Sequence, residues 1–197
     1  MDNPAKMDSP IHDLLARRWS PRAFDDRLVE ADILRMLLEA ARWAPSSNNE
    51  QPWRFIVASK NHEVDWNRLF NCLAAGNQQW AVRAPVLMLS VASMHFEDDG
   101  KPNRHAFHDM GLATENLVLQ ATASGLVAHQ MAGFDVEKAR VDLRIPAGYE
   151  PVAMIAIGYP GNPDILPERL RERELRPRSR RPIGEWTFGG QWGTRMP

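Results

Sequence analysis

The sequence predicts an α+β fold, on three observations. Segments with helical apolar spacing are mixed with three short, nearly all-apolar runs that read as strands. The two kinds do not alternate strictly, as a doubly wound sheet requires, and no Gly-x-Gly-x-x-Gly follows any of the strands. With 197 residues, 44% apolar and 25% charged, the chain suits one globular domain with a full core.

Residues 10–18 place Ile11, Leu14 and Leu15 at helical spacing behind Ser9 and Pro10, an N-cap and first-position pair, so this helix delivers Arg17 and Arg18 at its end. Ile33, Leu34, Leu37, Leu38 and Ala41 give residues 31–43 a one-sided apolar face, and Pro45 ends that helix. Residues 53–59 read as a strand. Residues 85–92 read as a second, apolar enough to be buried on both faces. Residues 103–124 form the longest helical candidate, with Gly125 as its stop. Residues 136–144 suit a short helix and 152–158 a third buried strand. Beyond Gly158 prolines punctuate a charged region in which Glu168–Leu175 is at best a solvated helix. The aromatic tail from Trp186 to Trp192 is too poor in aliphatic residues to form its own core and is expected to pack on a neighbouring subunit.

A net charge of −1 argues against a nucleic-acid binder. The single cysteine, Cys72, cannot form an internal disulfide, no stretch reaches the roughly 18 apolar residues of a membrane span, and the start lacks a signal-peptide run. A cytoplasmic protein is the expectation. His105 and His108 stand at i, i+3 beside Asp109, but no Glu completes a metalloprotease pattern, and no metal site is assigned.

Two constellations carry chemistry. Arg18, Ser20 and Arg22, with Arg178 and Arg180 far along the chain, supply the guanidinium forks and hydroxyl that a phosphate monoester needs; the plain alternative is a solvated basic surface. Ala44-Pro-Ser-Ser-Asn-Asn-Glu-Gln-Pro-Trp53 lies between a helix and a strand, with two prolines fixing a polar crevice. Its hydroxyls and amides suit a planar heterocycle, or they cap only their own turn.

Arg18-x-Ser20-x-Arg22-x-Phe24, then Ala44-Pro-Ser-Ser-x-Asn49-x-Gln-Pro-Trp53-x-Phe55, resembles the nitroreductase family of FMN-dependent oxidoreductases. Further landmarks follow in order: Ala74-Ala-Gly-Asn77, Ala84-Pro85, Gly133-Phe-Asp135, Ile157-Gly-Tyr-Pro160 and a basic pair before Pro182. The resemblance implies a central mixed sheet flanked by helices, in one domain spanning 1–197, and an intertwined homodimer. Residues 1–9 are expected to be flexible and residues 161–197 to wrap the partner.

By motif position the resemblance makes Arg18, Ser20, Arg178 and Arg180 the phosphate grip, with Trp19 among them where family members carry polar residues. It places Arg22 and Asn77 at the pyrimidine edge of FMN, Gly133 as a backbone contact near N5, and Pro45, Ser46, Ser47 and Asn49 along the isoalloxazine from the other subunit. The implied activity is ping-pong electron transfer from NADPH or NADH to a small conjugated acceptor such as a nitroaromatic or quinone. The alternative is a non-catalytic flavin-binding protein in which Trp19 or the tail fills the acceptor space.

Overall fold

The computed structural model describes Asn3 and residues 5–196; Met1, Asp2 and Pro4, part of the stretch expected to be flexible, and Pro197 lie outside the described residues. The first helix, α1 (Asp13–Arg17), is shorter than the sequence suggests. His12 Nδ1, not Ser9, accepts from the Leu14 N–H at 3.2 Å, and with Ile11 and Leu15 left exposed the helix has no buried face to extend it. Helix α2 (Ala31–Arg42) follows its apolar pattern closely and buries Leu37 and Ala41.

Strand β1 (Trp53–Ser59), β2 (Val86–Ser93) and β4 (Tyr149–Gly158) are the three predicted strands, and every residue of β2 is buried as expected. Three elements were not legible: α3 (Glu63–Phe70), α4 (Ala75–Ala81) and β3 (Val127–Met131). Helix α4 carries Gly76 and Asn77, weak helix formers, and is held by burying Trp80 and Ala81 instead. Helix α5 (Ala106–Ala123) ends at Gly125, whose φ of +74° is the left-handed stop the sequence announced. Helices α6 (Val136–Asp142) and α7 (Glu168–Leu175) complete the chain, and α7 is not simply solvated, because Leu170 and Glu174 on one face are buried.

The strands form one sheet in the order β1-β2-β4-β3. All three pairings are antiparallel, which corrects the expected mixed sheet. The strands that run the same way, β1 with β4 and β2 with β3, are each separated by a strand of opposite sense, so no parallel ladder forms among the described residues. Alternation along β2 divides the core. Val86, Met88 and Ala92 pack with Leu37, Met110 and Leu117 from α2 and α5. Leu87, Leu89 and Val91 pack on the other face with Trp66, Leu69 and Trp80 from α3 and α4.

The segment carrying the basic motif is laced to the end of β4. Gly161 N–H donates to Ala23 O at 2.9 Å, Asp25 N–H donates to Tyr159 O at 3.0 Å, and a Cβ at Gly161 would lie 2.5 Å from the Phe24 backbone. Only glycine permits that approach.

Candidate functional site

Three arginines converge where α1 ends. Arg18 is the C-cap of α1, and its Nη1 donates to Ser20 Oγ at 3.2 Å. Arg178, some 160 residues on, donates through Nη1 to the carbonyls of Asn3 (3.0 Å) and Ala16 (2.7 Å) and through Nη2 to that of Arg18 (2.7 Å). It thereby satisfies carbonyls that the short helix leaves open. Arg18 and Arg178, together with Lys6, Ser179 and Arg180, line a cavity of about 220 Å³; Ser20 stands outside its lining, bonded to Arg18.

Burial lowers the Arg18 pKa, with Arg180 repelling and Glu115 partly compensating, and burial lowers that of Arg178, with Arg18 and Arg180 adding repulsion. A doubly charged anion in the cavity would relieve that repulsion, so the donor set fits a phosphate monoester. Trp19 is not brought to it. It lines a separate cavity of about 210 Å³ with Asn3, Ala5, Met7, Asp13, Ala16 and Arg17.

Arg22 is held from below. Glu174 Oε1 on α7 accepts from the N–H groups of Arg22 (2.6 Å) and Ala23 (3.0 Å), and Oε2 stands 3.5 Å from Arg22 Nη1. Burial lowers the Arg22 pKa and Arg173 adds to this, while Glu174 opposes both. On β3, His129 Nδ1 lies 2.9 Å from the Pro21 carbonyl, which can only accept, so this nitrogen carries the proton. Its ring lies against Trp80 at 4.5 Å between centroids. Burial pulls the His129 pKa down to about 4, with Arg22 and Arg173 contributing and the bonds to Pro21 and Ser20 resisting. The imidazole is therefore neutral at pH 7.

Asn77 and Gly133, expected separately at the pyrimidine edge and near N5, come together in the structure. Asn77 Nδ2 and the Ala74 N–H both donate to the Gly133 carbonyl, at 2.9 and 3.0 Å. Gly133 itself is exposed, and its N–H has no protein acceptor among the described residues. A Cβ there would come 2.8 Å from Asn77 Nδ2, so the residue must be bare for this lock to form. The peptide that carries the Gly133 N–H is tied separately, its Ala132 carbonyl accepting from the Phe134 N–H at 3.1 Å, and the Gly133 N–H is a free backbone donor beside the locked carbonyl.

The loop 44–53 is tightly built. Ser47–Asn49 form a 3-10 turn, Ser46 Oγ accepts from the Gln51 N–H at 3.0 Å, and the Ser47 N–H donates to buried Asp109 Oδ2 of α5 at 3.0 Å. Asn48, Asn49 and Gln51 have φ of 53°, 56° and 52°. Three left-handed non-glycine residues within four positions are strained backbone that the surrounding bonds must enforce. The self-capping reading holds for Ser46, which serves its own turn, while Pro45 and Asn49 stay exposed.

One chain does not assemble the whole predicted set. The loop enters β1 at one edge of the sheet and packs with the α2 and α5 core, whereas Gly133 follows β3 at the opposite edge and adjoins the α3 and α4 core. Three inter-strand spacings, roughly 14 Å, separate those edges. Glu174, His129 and Asp109 were missed as supports of the site. For Glu174 a signal existed, since Leu170 and Glu174 stand at i, i+4 and so share one face of α7.

The α+β chain thus combines a basic cavity, a free backbone donor and a strained polar loop, a donor set whose chemistry suits a phosphorylated group. The chain belongs to the nitroreductase family, which it matches over residues 15–159. Its fold superposes on the crystal structure of an oxidoreductase containing FMN with a TM-score of 0.93 and 38% identity, covering 98% of each chain. An uncharacterized 15.4 kDa protein of Mycolicibacterium smegmatis is 34% identical over 147 residues, covering 71% of this chain and 97% of that one. A Thermus thermophilus protein named NADH dehydrogenase is 29% identical over 185 residues, covering 78% of this chain and 88% of its own length.

Proposed function

We propose that this protein is an NAD(P)H-dependent FMN oxidoreductase that passes electrons in ping-pong fashion to a small conjugated acceptor such as a nitroaromatic or quinone, as a homodimer. The observation that carries this reading is the convergence of Arg18, Arg178 and Arg180 on one cavity, with Ser20 bonded to Arg18 behind it and Arg22 following directly in the same segment. The FMN named for the structural relative and the activity named for the Thermus relative support it. The separation of the loop 45–49 from Gly133 supports the dimer, because a second copy would bring its own loop to the flavin edge that this chain leaves open.

Bound FMN would supply the redox chemistry, accepting hydride from a nicotinamide and delivering electrons to the second substrate. Arg18 and Arg180 would hold the phosphate, with Ser20 adding a hydroxyl and Arg178 fixing the end of α1 beneath them. Arg22 would stabilise the negative charge that gathers at the pyrimidine edge on reduction. Asn77 would hold the Gly133 carbonyl away from the flavin and leave the Gly133 N–H, on the preceding peptide, free to face it. Pro45, Ser46, Ser47 and Asn49 of the partner would cover the ring and exclude water.

The test is the purified protein's absorbance under anaerobic mixing with NADPH and NADH. A yellow preparation bleached by either donor and restored by a quinone or nitroaromatic is the expected result. A colour that persists with both donors would identify a flavin binder without turnover, and a colourless protein whose melting temperature FMN does not raise would overturn the reading.

A further inference from the structure

The carboxylate of Glu174 is built for more than holding α7 to the chain. It is 2% exposed, and one of its oxygens already satisfies the two N–H groups of Arg22 and Ala23. The other, Oε2, is buried without a hydrogen bond among the described residues and faces the Arg22 guanidinium at 3.5 Å. A neutral amide could tether two N–H groups equally well and would not leave a buried charged oxygen with no donor. What the carboxylate adds is a negative charge directly behind Arg22.

We propose that Glu174 is a positioning residue and counter-ion for Arg22, setting where that guanidinium stands and how much of its positive charge reaches the flavin. The inference rests on the FMN reading above. His129 fixes the Pro21 carbonyl from β3, Gly161 fixes Ala23 from the end of β4, and Glu174 fixes the peptide between them from α7. The backbone at Arg22 is thus held from three elements, and its side chain retains only 19% exposure through which to meet a ligand. An anion behind the cation weakens the field the cation projects. Glu174 therefore holds the reduction potential of bound FMN below the value that Arg22 alone would give.

This assigns a sign that a merely structural tether does not share. Loss of a tether would let Arg22 drift and lower the potential, whereas loss of the charge alone should raise it. Glu174→Gln keeps the size and one acceptor while removing the charge. The FMN-loaded variant is expected to favour the reduced form about tenfold more than the parent, about 30 mV for a two-electron couple, measured anaerobically against a reference dye. Arg22→Ala should move the potential the other way, and Glu174→Gln placed on Arg22→Ala should recover less than half of its own shift.

An unchanged or lowered potential in Glu174→Gln, with Arg22→Ala still lowering it, overturns this inference and leaves the flavin assignment of Arg22 intact. An equal upward shift with and without Arg22 overturns it too, since Glu174 would then act on the flavin directly. If Arg22→Ala leaves the potential unmoved, or no FMN is taken up, the underlying reading fails and this inference with it. Should Glu174→Gln not fold, Glu174→Asp withdraws the charge by one methylene, and a two- to threefold shift in the same direction is expected; no shift overturns the proposal.

Discussion

Acidification from pH 7.5 to pH 5 should cost the folded chain about 2 kcal/mol through His129 alone. The imidazole is enclosed by Trp80 and the Pro21 segment, faces Arg22 and Arg173, and has its pKa held down to about 4 against an ordinary value of 6.5. Because the folded pKa is the lower one, the unfolded chain takes up the proton first. The contribution is fully present above about pH 6.5 and is lost as pH falls toward 4, reaching about 3 kcal/mol at pH 4. For a chain of this length 2 kcal/mol corresponds to about 4–8 °C in Tm. The assay is a pair of thermal melts at pH 7.5 and 5, for the parent and for His129→Asn, which keeps an N–H donor for Pro21 without titrating. The variant should lose less stability than the parent by about 2 kcal/mol. Parallel pH profiles would refute the reasoning, for they would mean that His129 reaches water or gains a carboxylate when protonated.

Two further outcomes follow from single contacts. Asp109→Ala removes the acceptor of the Ser47 N–H and should cost about 1–3 kcal/mol, read as a lower Tm together with weaker FMN binding, because the left-handed turn at Asn48 and Asn49 would relax; unchanged FMN affinity would detach the loop from the site. Trp43, 73% exposed, shares a shallow cavity of about 530 Å³ with Met36 and Gln120; if this face is the seam of the proposed dimer, Trp43→Asp should shift sedimentation toward monomer and release flavin. A dimer that persists with FMN bound would exclude this face as the seam.

The elements that could be read from the sequence are those whose own residues decide them. Helix α2 and strand β2 carry apolar patterns that any partner surface would accept, and Gly125 stops α5 by its own backbone freedom. Helix α4 and strand β3 are decided elsewhere. Trp80 closes over His129, and β3 exists because its residues pair with 154–158 of β4, a choice that Val-Ala-His-Gln-Met does not announce. The first helix fails in the opposite sense. Its Ser9-Pro10 start is sound local chemistry, but with no buried face to reward an early start, the cap at His12 decides.

The site divides along the same line. Residue types at motif spacing singled out the loop and the basic segment, since each sits in a short stretch, whereas Asn77 and Gly133 were singled out only by family resemblance and their mutual bond was not expected. The supports were not legible, because each joins residues far apart in the chain: Ser47 to Asp109, Pro21 to His129 and Arg22 to Glu174; Arg178 was expected beside Arg18, but as a phosphate ligand and not as the donor to its carbonyl. Those long-range partners also change what the motif residues are free to do. Arg178 gives its fork to carbonyls and so reaches an anion mainly as charge, whereas Arg18 keeps most of its donors and Gly133 keeps its N–H. The division is electrostatic: the arginines around α1 repel one another and would welcome an anion, while Arg22 already faces Glu174, which suits it, on the proposed reading, to tuning a ring more than gripping one.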